Sequence, residues 1–260
     1  MSDEPVLYTI DDGAAVLRLN RPERKNALDL NLLNALGAIG REIANDTNIR
    51  LVMLIGEGDV FCAGADLKER EGMDESDIRE RLDLYRSELS WLELSRFPTV
   101  AVLNGSALGG GLELALMCDF RIATEDAKLA FPETRLAIIP GAGGTQRLSR
   151  LIGETRALEL ILLGSTIDAA TGKQYGLLNR VTPSALNVYE DAMDWLSPIR
   201  HGAPVAQSAA LRAIRGTSGR PLDEGLSHER ACYEECLQTQ DRVEALTALL
   251  EKRSPVFTGE

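Results

Sequence analysis

Basic charge is what this chain has least of. Against 40 Asp and Glu it sets 28 Lys and Arg, a formal charge of −12. Lysine is confined to Lys25, Lys68, Lys128, Lys173 and Lys252. Broad nucleic-acid binding needs a positive surface, so this balance argues against it. A small basic patch could still guide an anionic substrate. Long apolar runs are missing as well. The runs at 51–55, 99–103 and, interrupted by Glu159, 158–163 fall far short of the roughly 18–20 residues of a membrane span. The start, Met1-Ser2-Asp3-Glu4-Pro5, is acidic and has no apolar segment of the secretory kind, which predicts a cytoplasmic protein. The only histidines, His201 and His228, lie outside any nucleophile-elbow pattern, which argues against a nucleophilic triad. Cys62, Cys118, Cys232 and Cys236 read as free thiols in such a compartment. His228, Cys232 and Cys236 would share a helix face, but a fourth ligand and the paired spacing of a zinc site are absent, so no metal is expected.

What is present reads as an α/β core followed by helices. The length of 260 residues suits one large domain, or one with a small appendage. Leu7–Ile10 and Ala14–Asn20 are predicted strands around an Asp11-Asp12-Gly13 turn. Asn26–Asn45 is a predicted helix with Leu28, Leu32, Leu33, Leu36, Ile39 and Ile43 on one face. Ile49–Gly56 is β-rich and continuous and Thr99–Leu103 is similar, the pattern of buried strands. Residues 74–96 read as one charged amphipathic helix. Phe120–Ala123 and Lys128–Phe131 are further short strands. From about Thr145 the chain reads as almost wholly helical, through Ala185–Leu196, Ala203–Arg215, Leu222–Leu237 and Asp241–Lys252. Strand, loop and helix recur, with the unusual residues on loops at strand ends.

Two glutamates stand out. Glu113 follows Leu108-Gly109-Gly110-Gly111-Leu112, and Glu133 lies in Phe131-Pro132-Glu133-Thr134 ahead of Ile139-Pro140-Gly141-Ala142-Gly143-Gly144. Each glycine in a helix costs roughly 1 kcal/mol against alanine, so a glycine triplet opening a helix suggests a close backbone approach. A carboxylate just behind exposed N–H groups suits proton transfer beside a developing oxyanion. Taken singly, Glu113 also fits a helix-surface carboxylate and Glu133 a turn residue. Phosphate-loop readings fail. The 141–146 segment lacks the third glycine of a dinucleotide fingerprint, and the triplet lacks Gly-Lys-Ser/Thr. Phe61-Cys62-Ala63-Gly64-Ala65-Asp66-Leu67-Lys68 holds a place after a buried strand similar to that of the triplet. It reads either as a strand-to-helix turn capped by Asp66 or as a second source of N–H donors converging on one oxygen.

These segments together strongly resemble the crotonase, or enoyl-CoA hydratase/isomerase, superfamily. The resemblance is carried by Phe61–Leu67, Asn104–Leu114, Cys118-Asp119, Pro132-Glu133, Ile139–Leu148 and the early Asn20–Leu28. It runs from about residue 6 to the end. It implies a crotonase spiral of ββα units (core 1–195) with a helical C-terminal trimerisation region (196–260), assembled as a homotrimer or a dimer of trimers. It further implies an oxyanion hole made by the Ala65 and Gly110 N–H groups, which would hold the thioester oxygen of an acyl-CoA. Lys25, Ala27, Leu28, Ala63, Gly64, Ala65, Asp66, Leu67, Gly109, Gly110, Pro140 and Gly141 would line the CoA and substrate path.

Hydratases of this superfamily carry glutamates at both positions, whereas isomerases commonly keep only the one matching Glu133. The resemblance therefore implies a short-chain enoyl-CoA hydratase in which Glu113 and Glu133 hold one water, with no metal and no cofactor beyond the CoA of the substrate. An isomerase working through Glu133 is the second reading. Ala63–Arg70, Gly111–Leu116, Glu133–Pro140, Ala231-Cys232-Tyr233 and Asp241–Glu244 are similar to the methylglutaconyl-CoA hydratase group, which implies a role in leucine breakdown. RNA binding in that group goes with a lysine-rich first helix. Asp29–Gly40 contains no lysine, so an RNA-binding relative is the disfavoured third reading.

Overall fold

The computed structural model describes residues 4–183, 186–216 and 219–260. Its strands are β1 (Val6–Asp11), β2 (Ala14–Leu19), β3 (Leu51–Gly56), β4 (Val60–Cys62), β5 (Thr99–Leu103), β6 (Ser106–Leu108), β7 (Phe120–Thr124), β8 (Lys128–Ala130), β9 (Thr166–Asp168) and β10 (Arg180–Thr182). They form a six-stranded sheet ordered β1-β2-β3-β5-β7-β10 and a four-stranded sheet ordered β4-β6-β8-β9. The ladders are parallel except β1 with β2 and β8 with β9. The pairs β3–β4, β5–β6 and β7–β8 each place one strand in the large sheet and the next in the small one. A helical segment follows each pair, so the chain winds as the spiral of ββα turns that the resemblance implies.

Strand periodicity explains the continuous apolar runs. Ala15, Leu17, Val52, Leu54, Ala101 and Leu103 point to one core. Ala14, Val16, Leu51, Met53, Val100 and Val102 point to the other. With both faces covered, the inner strands are apolar almost throughout, and buried Thr99 and Arg121 are each hydrogen-bonded. Helix Leu30–Ile43 covers the first face through Leu32, Leu33 and Leu36. Helix Val188–Trp195 covers the second through Val188, Ala192 and Met193.

Several sequence-based boundaries shift. The first long helix starts at Leu30, because the Asp29 carboxylate caps it by accepting from the Leu32 N–H. Asn26 lies outside, at φ 53°. The single helix expected over 74–96 is two, Glu75–Leu89 and Trp91–Leu94. The stretch beyond Thr145 is not almost wholly helical, since β9 and β10 add strands to the two sheets. The helix expected from Ala185 is seen from Val188, and Ala185 itself lies outside the described residues.

Helices Pro204–Arg215, Leu222–Leu237 and Gln240–Glu251 complete the chain. Arg215 ties the first of them to the core. It pairs with both carboxylate oxygens of Asp119 at 2.6 Å and donates to the Ser95 carbonyl at 2.6 Å. Asp119 in turn accepts from the Thr99 N–H at the start of β5. Among the described residues, no helix is long and apolar enough to cross a membrane.

Candidate active site

The segments around Lys25–Leu28 and Ala63–Asp66 are joined by hydrogen bonds. Ala63 N–H donates to the Lys25 carbonyl at 3.0 Å, Leu28 N–H to the Gly64 carbonyl at 2.7 Å, and Asp66 N–H to the Leu28 carbonyl at 3.1 Å. Arg21 secures the junction, donating to the Ala27 carbonyl at 2.5 Å and pairing with Asp66 and Asp29 at 3.0 and 3.1 Å. Asn26, fully buried, donates to the Glu57 and Val60 carbonyls. Because this bridge uses the groups flanking Ala65, the Ala65 N–H itself is left over. Among the described residues, no backbone carbonyl accepts from it or from the Gly110 N–H.

Those two N–H groups belong to neighbouring backbones. A Cβ on Gly110 would come 3.5 Å from the Ala65 nitrogen, and one on Gly64 would come 3.2 Å from the Gly110 nitrogen. The two loops thus bring these backbones side by side. Two unclaimed donors side by side can bind one oxygen that gains negative charge.

Glu113 lies in helix Gly110–Leu116 and is 3% exposed. Its Oε1 accepts from the Ala142 N–H at 2.8 Å and the Gly144 N–H at 2.7 Å. Burial pushes its carboxyl up, opposed by the N–H groups of Gly144 and Ala142 and by the Arg147 charge. Gly144 has to be glycine for this contact, since a Cβ there would lie 2.9 Å from Glu113 Oε1.

Glu133 opens the 3-10 turn Glu133–Leu136 and is also buried. Its Oε2 has no hydrogen-bond partner among the described residues. Burial pushes its carboxyl up to about 7, and the Glu113 charge adds to the rise. Its own backbone N–H and the Arg70 charge oppose it. Gly109, at φ 50°, passes beneath it, and a Cβ there would lie 2.6 Å from Glu133 Oε1. The glycine triplet thus touches both halves of the site. Its first member makes room for one carboxylate and its second offers an N–H.

The remaining expected residues divide. Ala27, Leu28 and Gly64 are buried in the junction, while Lys25 and Leu67 are exposed. The Asp66 carboxylate is occupied by Arg21 and by capping the N–H groups of Lys68 and Glu69. Pro140 is buried, and Gly141 immediately precedes the Glu113-binding N–H of Ala142. The role of the 141–144 loop as the anchor of Glu113 was not read from the sequence. A signal existed: a glycine-rich loop opening a helix presents free N–H groups, and a buried carboxylate needs donors. The thiols of Cys62 and Cys118 are pushed by burial up to about 12, so they are inert. His228 and Cys232 approach to 3.8 Å. Among the described residues, no cluster of three or more His, Cys, Asp or Glu is placed to hold a metal.

Residues 9–260 match the family model described as enoyl-CoA hydratase/isomerase. The enoyl-CoA isomerase/hydratase fer4 of Mycosarcoma maydis is 43% identical, over 95% of this chain and 93% of its own. The mouse mitochondrial methylglutaconyl-CoA hydratase is 41% identical, over 95% of this chain and 80% of its own. A crystal structure of an enoyl-CoA hydratase from Bacillus anthracis superposes with a TM-score of 0.96 at 44% identity, covering 98% of this chain and all of the other.

Proposed function

The chain belongs to the enoyl-CoA hydratase/isomerase family, and from that premise we propose that it adds water across the 2,3 double bond of a short-chain 2-enoyl-CoA. The observation that carries this reading is the pair of buried carboxylates with unequal environments, Glu113 held by two N–H groups and Glu133 Oε2 by none, beside the two unclaimed N–H groups of Ala65 and Gly110. In the proposed step, ionised Glu113 takes a proton from water while the water oxygen bonds to C3. The double-bond electrons shift toward the thioester, whose oxygen is held by the Ala65 and Gly110 N–H groups. Glu133 gives its proton to C2. The product is a 3-hydroxyacyl-CoA, and the proton on Glu113 returns to Glu133 before the next turnover.

The CoA moiety enters along Lys25–Leu28 and Ala63–Leu67, where exposed Lys25 is available to a phosphate. The similarity to a methylglutaconyl-CoA hydratase supports 3-methylglutaconyl-CoA as a substrate to test first. Self-association through the C-terminal helices would cover large apolar side chains that are exposed in the single chain, among them Leu222, Leu226, Leu249 and Leu250. Light scattering on the purified protein, read for a trimer or hexamer mass, tests that part.

The activity is tested by the loss of conjugated-thioester absorbance with crotonyl-CoA and 3-methylglutaconyl-CoA in ¹⁸O-water. A hydratase puts the label on C3 of the product. A shifted double bond with no label, obtained from a 3-enoyl-CoA, would instead establish an isomerase working through Glu133. That second reading draws support from the high proton affinity of Glu133 and from the dual name of the Mycosarcoma relative.

A further inference from the structure

Glu113 owes its orientation to a loop, and the loop is itself held by a side chain, that of Arg147. Arg147, in the first turn of helix Gly144–Ile152, folds back over the loop. Its Nη1 donates to the Ala142 carbonyl at 2.5 Å. Its Nε and Nη2 grip both carboxylate oxygens of Glu93, the Nη2 contact at 2.6 Å. The guanidinium lies so close over Gly143 that a Cβ there would fall 2.0 Å from Nη1. Glu93 comes from the short helix Trp91–Leu94, which is anchored in the core by fully buried Leu92. The connection therefore runs from that helix through Glu93 and Arg147 to Ala142, and from the Ala142 and Gly144 N–H groups to Glu113 Oε1.

We infer that Arg147, braced by Glu93, is a positioning residue that fixes the direction of the Glu113 carboxylate. A forked guanidinium is suited to this, because it can hold a carboxylate with two donors while a third reaches a carbonyl. A lysine supplies the charge without the fork. With the loop pinned, its two N–H groups spend themselves on one carboxylate oxygen and leave the other for water. The inference rests on the proposed two-glutamate hydration for its catalytic consequence, though not for its effect on Glu113 itself.

The test uses Arg147→Ala and Arg147→Lys in the full-length protein. Glu113 is titrated without substrate by its carboxyl ¹³C resonance, identified by its disappearance in Glu113→Gln. Removing the arginine withdraws both a cation and the restraint on two donors, so burial is left less opposed. The Glu113 midpoint then rises in Arg147→Ala and rises less in Arg147→Lys. The acid limb of kcat moves to higher pH with it. kcat falls by about 10- to 100-fold, the usual cost of a small misplacement, while KM for the enoyl-CoA changes little. The pair borders a cleft of about 700 Å³, open to small solutes, so guanidinium ion restores part of the kcat lost in Arg147→Ala. Should Arg147→Ala fail to fold, Arg147→Lys decides. A Glu113 titration that overlays the parent in every folded variant overturns the inference. A parent enzyme with no hydration activity overturns the proposed function instead, and leaves the titration result standing.

Discussion

Glu113 and Glu133 are both buried carboxylates that burial pushes up, yet the protein treats them unequally. The Glu113 pocket supplies two N–H donors and a nearby arginine charge. The Glu133 pocket leaves Oε2 without a partner and places a second carboxylate in electrostatic reach. Hydrogen bonds to the charged form favour ionisation, and an adjacent like charge disfavours it. One proton shared between the two therefore resides on Glu133. Environments that push two similar groups apart divide acid and base roles without any change of residue type.

The comparison is broken most severely by removing either carboxylate. Glu113→Gln and Glu133→Gln should each lower the hydration rate by about 10²- to 10⁴-fold, the range of general acid–base contributions. Steady-state kinetics with crotonyl-CoA measures this, and a rate kept within a factor of two in either variant would remove that glutamate from the mechanism. The next effect strikes what the two pockets share. Gly110 is the first residue of its helix, where proline is tolerated because the N–H has no helical acceptor. Gly110→Pro deletes one oxyanion donor and puts ring carbons in its place. A loss of one such donor costs about 3 kcal/mol, or about 10²-fold in kcat. Circular dichroism should show the helix content kept while activity falls.

How much of this asymmetry can be read from the residues alone depends on how local its causes are. The strands at 51–56 and 99–103 announce themselves because 51–55 and 100–103 are apolar at every position, as burial on two faces requires. β4 and β6 do not. At three residues each, embedded in Val60–Cys62 and Ser106–Leu108 beside glycines, they are too short to display a period. β9 and β10 are hidden for the same reason inside a stretch rich in helix formers. Both glutamates and both N–H-bearing loops are visible as motifs. The inequality between the glutamates is not visible, because its causes are distant in sequence. The Glu113 partners lie 29 and 31 residues away, and backbone donors leave no mark on residue type beyond the glycines that make room for them.

Stability against pH sharpens the comparison with a smaller effect. The Glu133 carboxyl titrates near 7 in the folded protein and about 4.3 when unfolded. Between those values the folded state holds a proton that the unfolded state has released. Stability from this group is therefore complete below the unfolded value and declines as pH rises toward 7, then levels off. Glu133→Gln removes the titration. At pH 8 the variant should be more stable than the parent by about 3–4 kcal/mol, the linkage of a shift of this size, while at pH 4 the difference should vanish. Urea unfolding at the two pH values measures it. A difference independent of pH would mean that Glu133 is not held protonated by the fold.

The smallest expected effect concerns Arg70, the cation that opposes the rise of Glu133. It ends the short helix Leu67–Arg70 and also acts on the buried Tyr85 hydroxyl, opposing the rise that burial causes there. A positive charge nearby favours the ionised carboxylate. Arg70→Met withdraws that charge and keeps a long side chain in place. Glu133 should then hold its proton to higher pH, and since it acts as the proton donor, the basic limb of kcat should move upward. The acid limb, set by Glu113, should stay where it is. A profile in which both limbs move together would mean that the two carboxylates titrate as one coupled unit and that the difference between their pockets does not separate their roles.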